Sequence, residues 1–499
     1  MSESSPKRGR IVIVGGGMSG LAAAHHLLEL QEASSKVEDN KLEVVLLEAA
    51  GRLGGTVRTR RRDGFLLEGG PDSFISEKPE ALDLARRLGI ADRIIGTNER
   101  HRRSFVVRDG RLRPTPEGFQ LLAPSRMLPF VTTDIFTWRG KARMALDLVL
   151  PRRKEANGRD DESLAAFVRR RLGREALERM AQPMVGGIYT ADPEVLSLRA
   201  TMPRFLEMER RHRSLILAMW KAGRKAEEDA RHGRGASGAR YSLFLSFDEG
   251  TQVLTDTLAA RLPAGSVRLN TRIVSLTYER DARSAERGPH RWLLRTSGGE
   301  TIEADAVCLA LPAYVSARLL REVDDALADE LEAIPYASTA TVNLAFRRED
   351  ISHPLDGFGF VVPFIERRAT LACTFSSVKF PARAPAGHAL LRAFVGGALQ
   401  PEMFDLDEDR MTEAVMRDLR DLLGVNAPPL FTHVERWPRS MAQYHLGHTE
   451  RVSRIRALLG KHTALELRGN AYEGAGLPDC VRGGESAARE LFKEVSDAR

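Results

Sequence analysis

Residues 10–21 read Arg10-Ile11-Val12-Ile13-Val14-Gly15-Gly16-Gly17-Met18-Ser19-Gly20-Leu21. Four apolar residues in a row, Ile11 to Val14, suit a strand buried on both faces. Gly15, Gly17 and Gly20 then form G-x-G-x-x-G, and Leu21-Ala22-Ala23-Ala24 opens a helix. The first glycine permits a tight turn and the second lets backbone approach a pyrophosphate. The third lets helix and strand pack closely. The helix N-terminus offers free N–H groups and the positive end of a dipole to the phosphates.

The motif is short, so its surroundings carry the reading. Residues 42–47 read as a second strand, ending at Glu48, whose carboxylate is placed to accept hydrogen bonds from ribose hydroxyls. The spacing from Gly20 to Glu48 is long, and the polar residues 31–41 account for it as a loop insertion. Gly51-Arg52-Leu53-Gly54-Gly55 is a second glycine turn, with Arg52 expected at a phosphate. Glu68-Gly69-Gly70-Pro71 is a third. Taken in order, these pieces describe a dinucleotide site. No second G-x-G-x-x-G occurs, so a separate nicotinamide dinucleotide site is not expected.

The chain has 499 residues, enough for two or three domains. No apolar run is long enough to cross a bilayer, and residues 1–9 are polar and lead straight into a strand. The expectation is a cytoplasmic protein, or one attached peripherally to a membrane. The net charge is +7, without a Lys/Arg block interleaved with aromatics, so nucleic acid is not an expected partner. Cys308, Cys373 and Cys480 lie far apart, which argues against a disulfide framework or a zinc site.

Along the chain, residues 77–91 read as a helix and residues 105–112 as a hairpin around Asp109-Gly110. From Pro114 to Arg213 the pattern turns helical. Apolar residues here, among them Leu121, Met127–Val131, Trp138 and Leu146–Leu150, read as a subdomain core, a membrane-docking surface or the mouth of an apolar pocket. Glu162–Leu172 reads as an amphipathic helix. Gln182–Tyr189 reads as a glycine-containing turn that approaches a flat ligand. Residues 221–240 read as a solvated helix end entering a flexible loop, and 280–290 as a hairpin loop. Residues 340–395 read as an antiparallel sheet, and Arg410–Leu423 as a helix. The last segment returns to a strand at Leu465–Leu467, a glycine turn at Gly474 and Gly476, and a helix from Leu477.

Two motifs narrow the family: Ser440-Met441-Ala442-Gln443-Tyr444-His445-Leu446-Gly447-His448 and Tyr472-Glu473-Gly474-Ala475-Gly476-Leu477-Pro478-Asp479-Cys480. With the N-terminal site, they resemble the oxygen-dependent porphyrinogen oxidases of the amine-oxidase-like FAD superfamily, that is, protoporphyrinogen oxidase and its coproporphyrinogen-oxidising relatives. Pro183–Tyr189, Arg213–Ile216 and Ser246-Phe247 fit the same family. The resemblance implies an α/β fold, α+β overall. A Rossmann-like FAD-binding domain would span 1–99, 240–315 and 434–499. An antiparallel-sheet substrate domain would take 100–113 and 316–433, and a helical subdomain with a candidate membrane-facing surface 114–239.

It further implies that Gly15, Gly17, Ser19, Gly20, Glu48, Arg52, Gly54, Gly55, Gly70, Val274, Trp437, Gly474, Gly476, Leu477 and Pro478 hold FAD. Gly187, Phe360, Phe394 and Ser104 are the substrate-pocket candidates, although the two phenylalanines read equally as core. Two departures stand out. Ser104 occupies the place of an arginine carried by protoporphyrinogen-specific members, and Arg103, one position earlier, would face the other way along a strand. Gln182 stands where the family often has an acid.

The implied reaction takes six electrons from a porphyrinogen to O2, giving a porphyrin and H2O2. Coproporphyrinogen III is slightly favoured over protoporphyrinogen IX. The flavin carries the chemistry, so no general base is demanded, and none is legible. His445 and His448 read as capping or surface groups rather than metal ligands. Contacts with ferrochelatase, a membrane surface or a second copy of the chain stay open. The alternatives are a flavin amine oxidase, a carotenoid desaturase, or a scaffold that passes a porphyrin to a partner.

Overall fold

A computed structural model describes residues 9–34, 42–120, 122–153, 161–231, 243–280 and 290–497. The tail at 1–8, most of the insertion after Ala33, Leu121, the loop past Arg231 and the tip of the 280–290 hairpin lie outside the described residues.

Strand Arg10–Val14 occupies the centre of a five-stranded parallel sheet. Its neighbours are Glu43–Leu47 and Ala306–Leu309, flanked by Val267–Arg268 and Leu465–Leu467. Burial on both faces is real. Ile11 and Ile13 enter one hydrophobic cluster and Val12 and Val14 another. Helix Met18–Ala33 covers one face together with helix Leu477–Asp497. The two helices approach closely because residue 484 is glycine: a Cβ there would stand 2.3 Å from the Ser19 carbonyl oxygen. The first helix also absorbs Gln31 to Ala33, which the sequence assigned to a loop.

A seven-stranded sheet forms the second domain. Its order is Phe431–Ala442, Tyr336–Arg347, His388–Gly396, Ala372–Phe375, Gly359–Val361, Phe105–Arg108 and Arg111–Pro114. All pairs are antiparallel except Gly359–Val361 with Phe105–Arg108, which run parallel. The expected boundary at 433/434 falls inside strand Phe431–Ala442, whose residues pair with Tyr336–Ala345 along its length. That strand therefore belongs wholly to this sheet.

Among the described residues from 115 to 231 helices predominate, with two-residue strands at Phe119–Gln120 and Ala123–Pro124. The helix expected at 162–172 is Leu164–Arg171, capped by Ser163. The segment expected to turn at 182–189 is instead a helix, Gln182–Tyr189, continuous with a π-helical stretch Leu177–Ala181. Pro183 stands at the junction, where the wider π-helical turn gives way to the α-helix. Gly186 and Gly187 fall in the last turn, ended by Thr190 in the left-handed conformation.

Two buried charges set the outer edge of this layer. Asp147 accepts hydrogen bonds from Arg171 Nε at 2.6 Å, Ser214 Oγ at 2.7 Å and the Ile216 N–H at 3.0 Å. Lys141 donates to the Val131 and Thr133 carbonyls. Apolar side chains beside these anchors point outward: Leu128 is 76% exposed, Trp138 72% and Val149 67%. No helix among the described residues is long and apolar enough to cross a membrane.

Candidate functional site

At the end of the central strand, Gly15 takes φ +110° and Gly20 lies under it. A Cβ at Gly20 would stand 1.9 Å from the Gly15 carbonyl oxygen, so only glycine allows this closure. Gly17 differs. A Cβ there would meet only the Gly55 Cα, at 4.0 Å. Gly17 and Gly55 thus line a cleft free of side chains at the start of helix Met18–Ala33, whose first turn has no side-chain cap. Ser19 is buried in that turn. Such a cleft fits a pyrophosphate on a helix N-terminus.

Glu48 ends the second strand as expected. Its Oε2 accepts from the Gly16 N–H and its Oε1 from the Ala50 N–H, both at 2.7 Å. Each carboxylate oxygen keeps a further lone pair, so ribose hydroxyls can still donate to it. The Thr271 N–H donates to the Glu48 carbonyl at 2.8 Å. Val274, expected at the cofactor, lies three residues on, exposed at a bulge between Ile273 and Ser275.

Arg52 has a different role from the one expected. Its guanidinium donates to the carbonyls of Leu53 at 2.7 Å, Gly55 at 2.6 Å and Val57 at 3.2 Å. It holds its own turn shut rather than reaching a phosphate. Gly54 stays in place: its N–H donates to the Gly16 carbonyl at 2.8 Å. The third turn packs on the second, since a Cβ at Gly70 would stand 1.8 Å from the Thr56 carbonyl oxygen. Trp437 Nε1 donates to the Gly69 carbonyl at 2.8 Å.

Beneath this turn sits Glu68, which accepts from the Thr251 N–H and Thr59 Oγ1, both at 2.8 Å. Burial outweighs these donors and pushes its carboxyl up to about 7. Burial would likewise raise Asp72, but Lys379 at 2.9 Å and the nearby Arg392 outweigh it and hold that carboxyl well below the usual range. The C-terminal turn closes the other side. Cβ atoms at Gly474 and Gly476 would meet the Asp479 carboxylate at 2.5 and 3.2 Å. Leu477 and Pro478 are buried at the head of the last helix. Asp479 itself is bound by Lys78 Nζ at 2.6 Å and Arg482 Nη2 at 2.6 Å. Lys78 and Asp479 were not singled out from the sequence, and only their charges could have hinted at a pair 401 residues apart.

On the substrate side, Gly187 is exposed, and a Cβ there would touch only Val361 Cγ1, at 3.8 Å. Val361 shares a sheet row with Ala372, Phe394 and Thr341. Phe394 therefore lies on the face beside Gly187. Phe360 does not. One residue earlier in the strand, it points to the opposite face, is 2% exposed and packs edge-on to Phe375 in the domain core. Val361 takes the place expected for it. Ser104 Oγ lies 3.0 Å from Thr115 Oγ1. Arg103 is committed elsewhere, to Asp356 and the face of the Phe105 ring. Gln182 Oε1 accepts from the Phe364 N–H at 2.8 Å, an acceptor's role that an acid would also fill. Behind the site, His448 stacks on Tyr444 with ring centroids 4.3 Å apart.

The flavin containing amine oxidoreductase family pattern matches residues 18–492. The chain is 34% identical over 483 residues to a coproporphyrinogen III oxidase of Bacillus subtilis (strain 168), covering 97% of each. It is 37% identical to a coproporphyrinogen III oxidase of Propionibacterium freudenreichii subsp. freudenreichii, covering 98% of this chain and 91% of that one. A solved structure from Exiguobacterium sp. 255-15, assigned to protoporphyrinogen oxidase, superposes with a TM-score of 0.81 at 31% identity, covering 98% and 99%.

Two outcomes follow from the geometry. Glu48→Ala removes the acceptor for a ribose, so the purified protein is expected to retain about tenfold less FAD, equivalent to about 1.4 kcal/mol. Full flavin content after gel filtration would contradict the ribose contact. Burial pushes the His448 imidazole from 6.5 down to about 4. An unfolded chain takes up this proton while the folded one does not, so the stability from neutral His448 is present above pH 6.5 and is lost as the pH falls toward 4. The slope approaches about 1.4 kcal/mol per pH unit. Thermal melts of His448→Phe should show a shallower loss of stability from pH 6.5 to 4.5 than the parent. Parallel profiles would refute the buried neutral imidazole.

Proposed function

The chain belongs to the flavin containing amine oxidoreductase family, and on that premise we propose that it oxidises a porphyrinogen to a porphyrin in heme biosynthesis, with FAD as cofactor and O2 as final acceptor. Coproporphyrinogen III is the favoured substrate. The observation that carries the reading is the open wall formed by Gly187, Val361 and Phe394, three uncharged residues on the sheet face that also holds the Gly69-Gly70 turn. Relatives with coproporphyrinogen III oxidase activity by name span nearly the same length.

Bound FAD would accept hydride from the ring's methylene bridges and pass electrons on to O2. Six electrons leave the ring, and three O2 become three H2O2. The wall's task is to hold a bulky ring by apolar contact and to keep water out. Gly187 keeps that wall flat. Ser104, bonded to Thr115, presents no cation where a protoporphyrinogen-selective arginine would stand, which supports the coproporphyrinogen preference. The finer proposal places the enzyme at a membrane surface through Leu128, Trp138 and Val149. Exposed arginines at 126, 139, 152 and 153 beside them suit anionic headgroups.

Porphyrin fluorescence in air, with each porphyrinogen supplied separately, tests the substrate. Fast coproporphyrin formation and slow protoporphyrin formation are expected. Gly187→Val should cut turnover by at least about tenfold with FAD retained, because added bulk enters the wall. Normal kinetics in that variant would remove Gly187 from the pocket. For the surface, the parent should sediment with phosphatidylglycerol vesicles, and the pair Leu128→Ser/Trp138→Ser should stay in solution. Equal sedimentation of both would discard the membrane contact.

A further inference from the structure

The seven-stranded sheet presents a row of donors to three consecutive carbonyls of the FAD-binding domain. Asn343 Nδ2 donates to Glu68 O at 3.3 Å, and Thr341 Oγ1 and Trp437 Nε1 donate to Gly69 O at 3.0 and 2.8 Å. Arg392 Nη2 reaches Gly69 O at 3.5 Å and also donates to Gly70 O. These side chains come from three different strands and point the same way, because Thr341 pairs with Phe394 and Asn343 with Arg392. Arg392 is 3% exposed, lies 4.0 Å from Asp72 Oδ2 and stacks over the Phe394 ring at 4.7 Å. Its Nε has no partner. A buried guanidinium is costly to desolvate, so its place under a glycine turn calls for a reason.

Peptide planarity supplies one. In a trans peptide, C=O and N–H point in opposite directions. Fastening Gly69 O onto the sheet therefore turns the Gly70 N–H off the sheet. Among the described residues that N–H meets no protein acceptor. The same turn leans on the cofactor cleft without side chains between. A Cβ at Gly70 would stand 1.8 Å from Thr56 O, and one at Gly55 would stand 3.1 Å from Gly17 Cα.

We infer that Arg392, aided by Thr341 and Trp437, is a positioning residue for the cofactor, which holds the Gly69 and Gly70 carbonyls on the substrate sheet so that the Gly70 N–H is aimed as a donor to FAD. This rests on the reading of the cleft as an FAD site, but not on porphyrinogen as substrate. Arg392 lies on the same sheet face as Phe394, so one sheet sets both the substrate wall and the flavin-side turn.

The test measures FAD release from the holoenzyme, the flavin's visible spectrum and its midpoint potential, with no porphyrinogen present. Arg392→Met should release FAD at least about tenfold more readily, with a shifted visible band and a more negative potential. Arg392→Lys, which keeps the charge beside Asp72, should restore the potential and part of the retention. Thr341→Val removes one donor to Gly69 O and leaves the cation, so it should weaken retention by a few-fold at unchanged potential. Unchanged retention, spectrum and potential in Arg392→Met would overturn the inference. If Arg392→Met fails to fold, unchanged retention in Thr341→Val would overturn it instead. FAD absent from the parent protein would overturn the cofactor reading and this inference with it, whereas the choice of substrate does not enter the measurement.

Discussion

The closest contact in the cofactor seat is backbone on backbone. Gly20 lies against the Gly15 carbonyl, Gly70 against Thr56, and Gly55 against Gly17. No side chain separates these segments, so three turns from the first 70 residues stack as one layer. A single methyl group at Gly20 or Gly70 would have to move backbone rather than a flexible side chain, and overpacking of that kind costs about 1–3 kcal/mol. The rest of the site inherits its geometry from this layer. Glu48 is set by the N–H groups beside it, Arg52 clamps the second turn, and the donor row on the large sheet pins the third.

The substrate side is built on the opposite principle. A puckered ring that gains aromaticity on oxidation needs shape and exclusion of water more than acid–base groups. In the proposed pocket, Gly187, Val361 and Phe394 would supply that shape. The charges that do occur nearby are spent on the protein itself: Arg103 on Asp356, Lys78 on Asp479, and Lys379 on Asp72.

Much of the cofactor half was legible because its signals are local. A strand, a glycine turn, an uncapped helix and an acidic strand end lie within 40 residues, and the structure places Gly15, Gly17, Gly20 and Glu48 together. Arg52 was misjudged because nothing in a sequence says whether a guanidinium in a tight turn reaches out or folds back onto its own carbonyls. Phe360 failed for want of register: in a three-residue strand only the pairing decides which of two neighbours faces the pocket. Gly186 and Gly187 suggested a turn because glycine disfavours helix, yet the helix runs on from the preceding π-helical stretch and ends only at Thr190. The donor row on the large sheet was invisible, since Thr341, Arg392 and Trp437 meet Gly69 only through pairings across more than 270 residues.

The strand order of the parallel sheet bears on how the molecule is made. Leu465–Leu467 completes a sheet whose centre was synthesised more than 400 residues earlier, and the helix from Leu477 covers the same face as the first helix. While the ribosome is still working through the large sheet, Ile11 and Leu21 lack their final cover and the cleft lacks its closing turn. Non-local pairing of this kind is slow and leaves apolar surface open to aggregation. The full binding energy of the cofactor therefore becomes available only once residues 465–497 have joined the first helix and strand, so FAD can lock the fold but cannot guide its early steps.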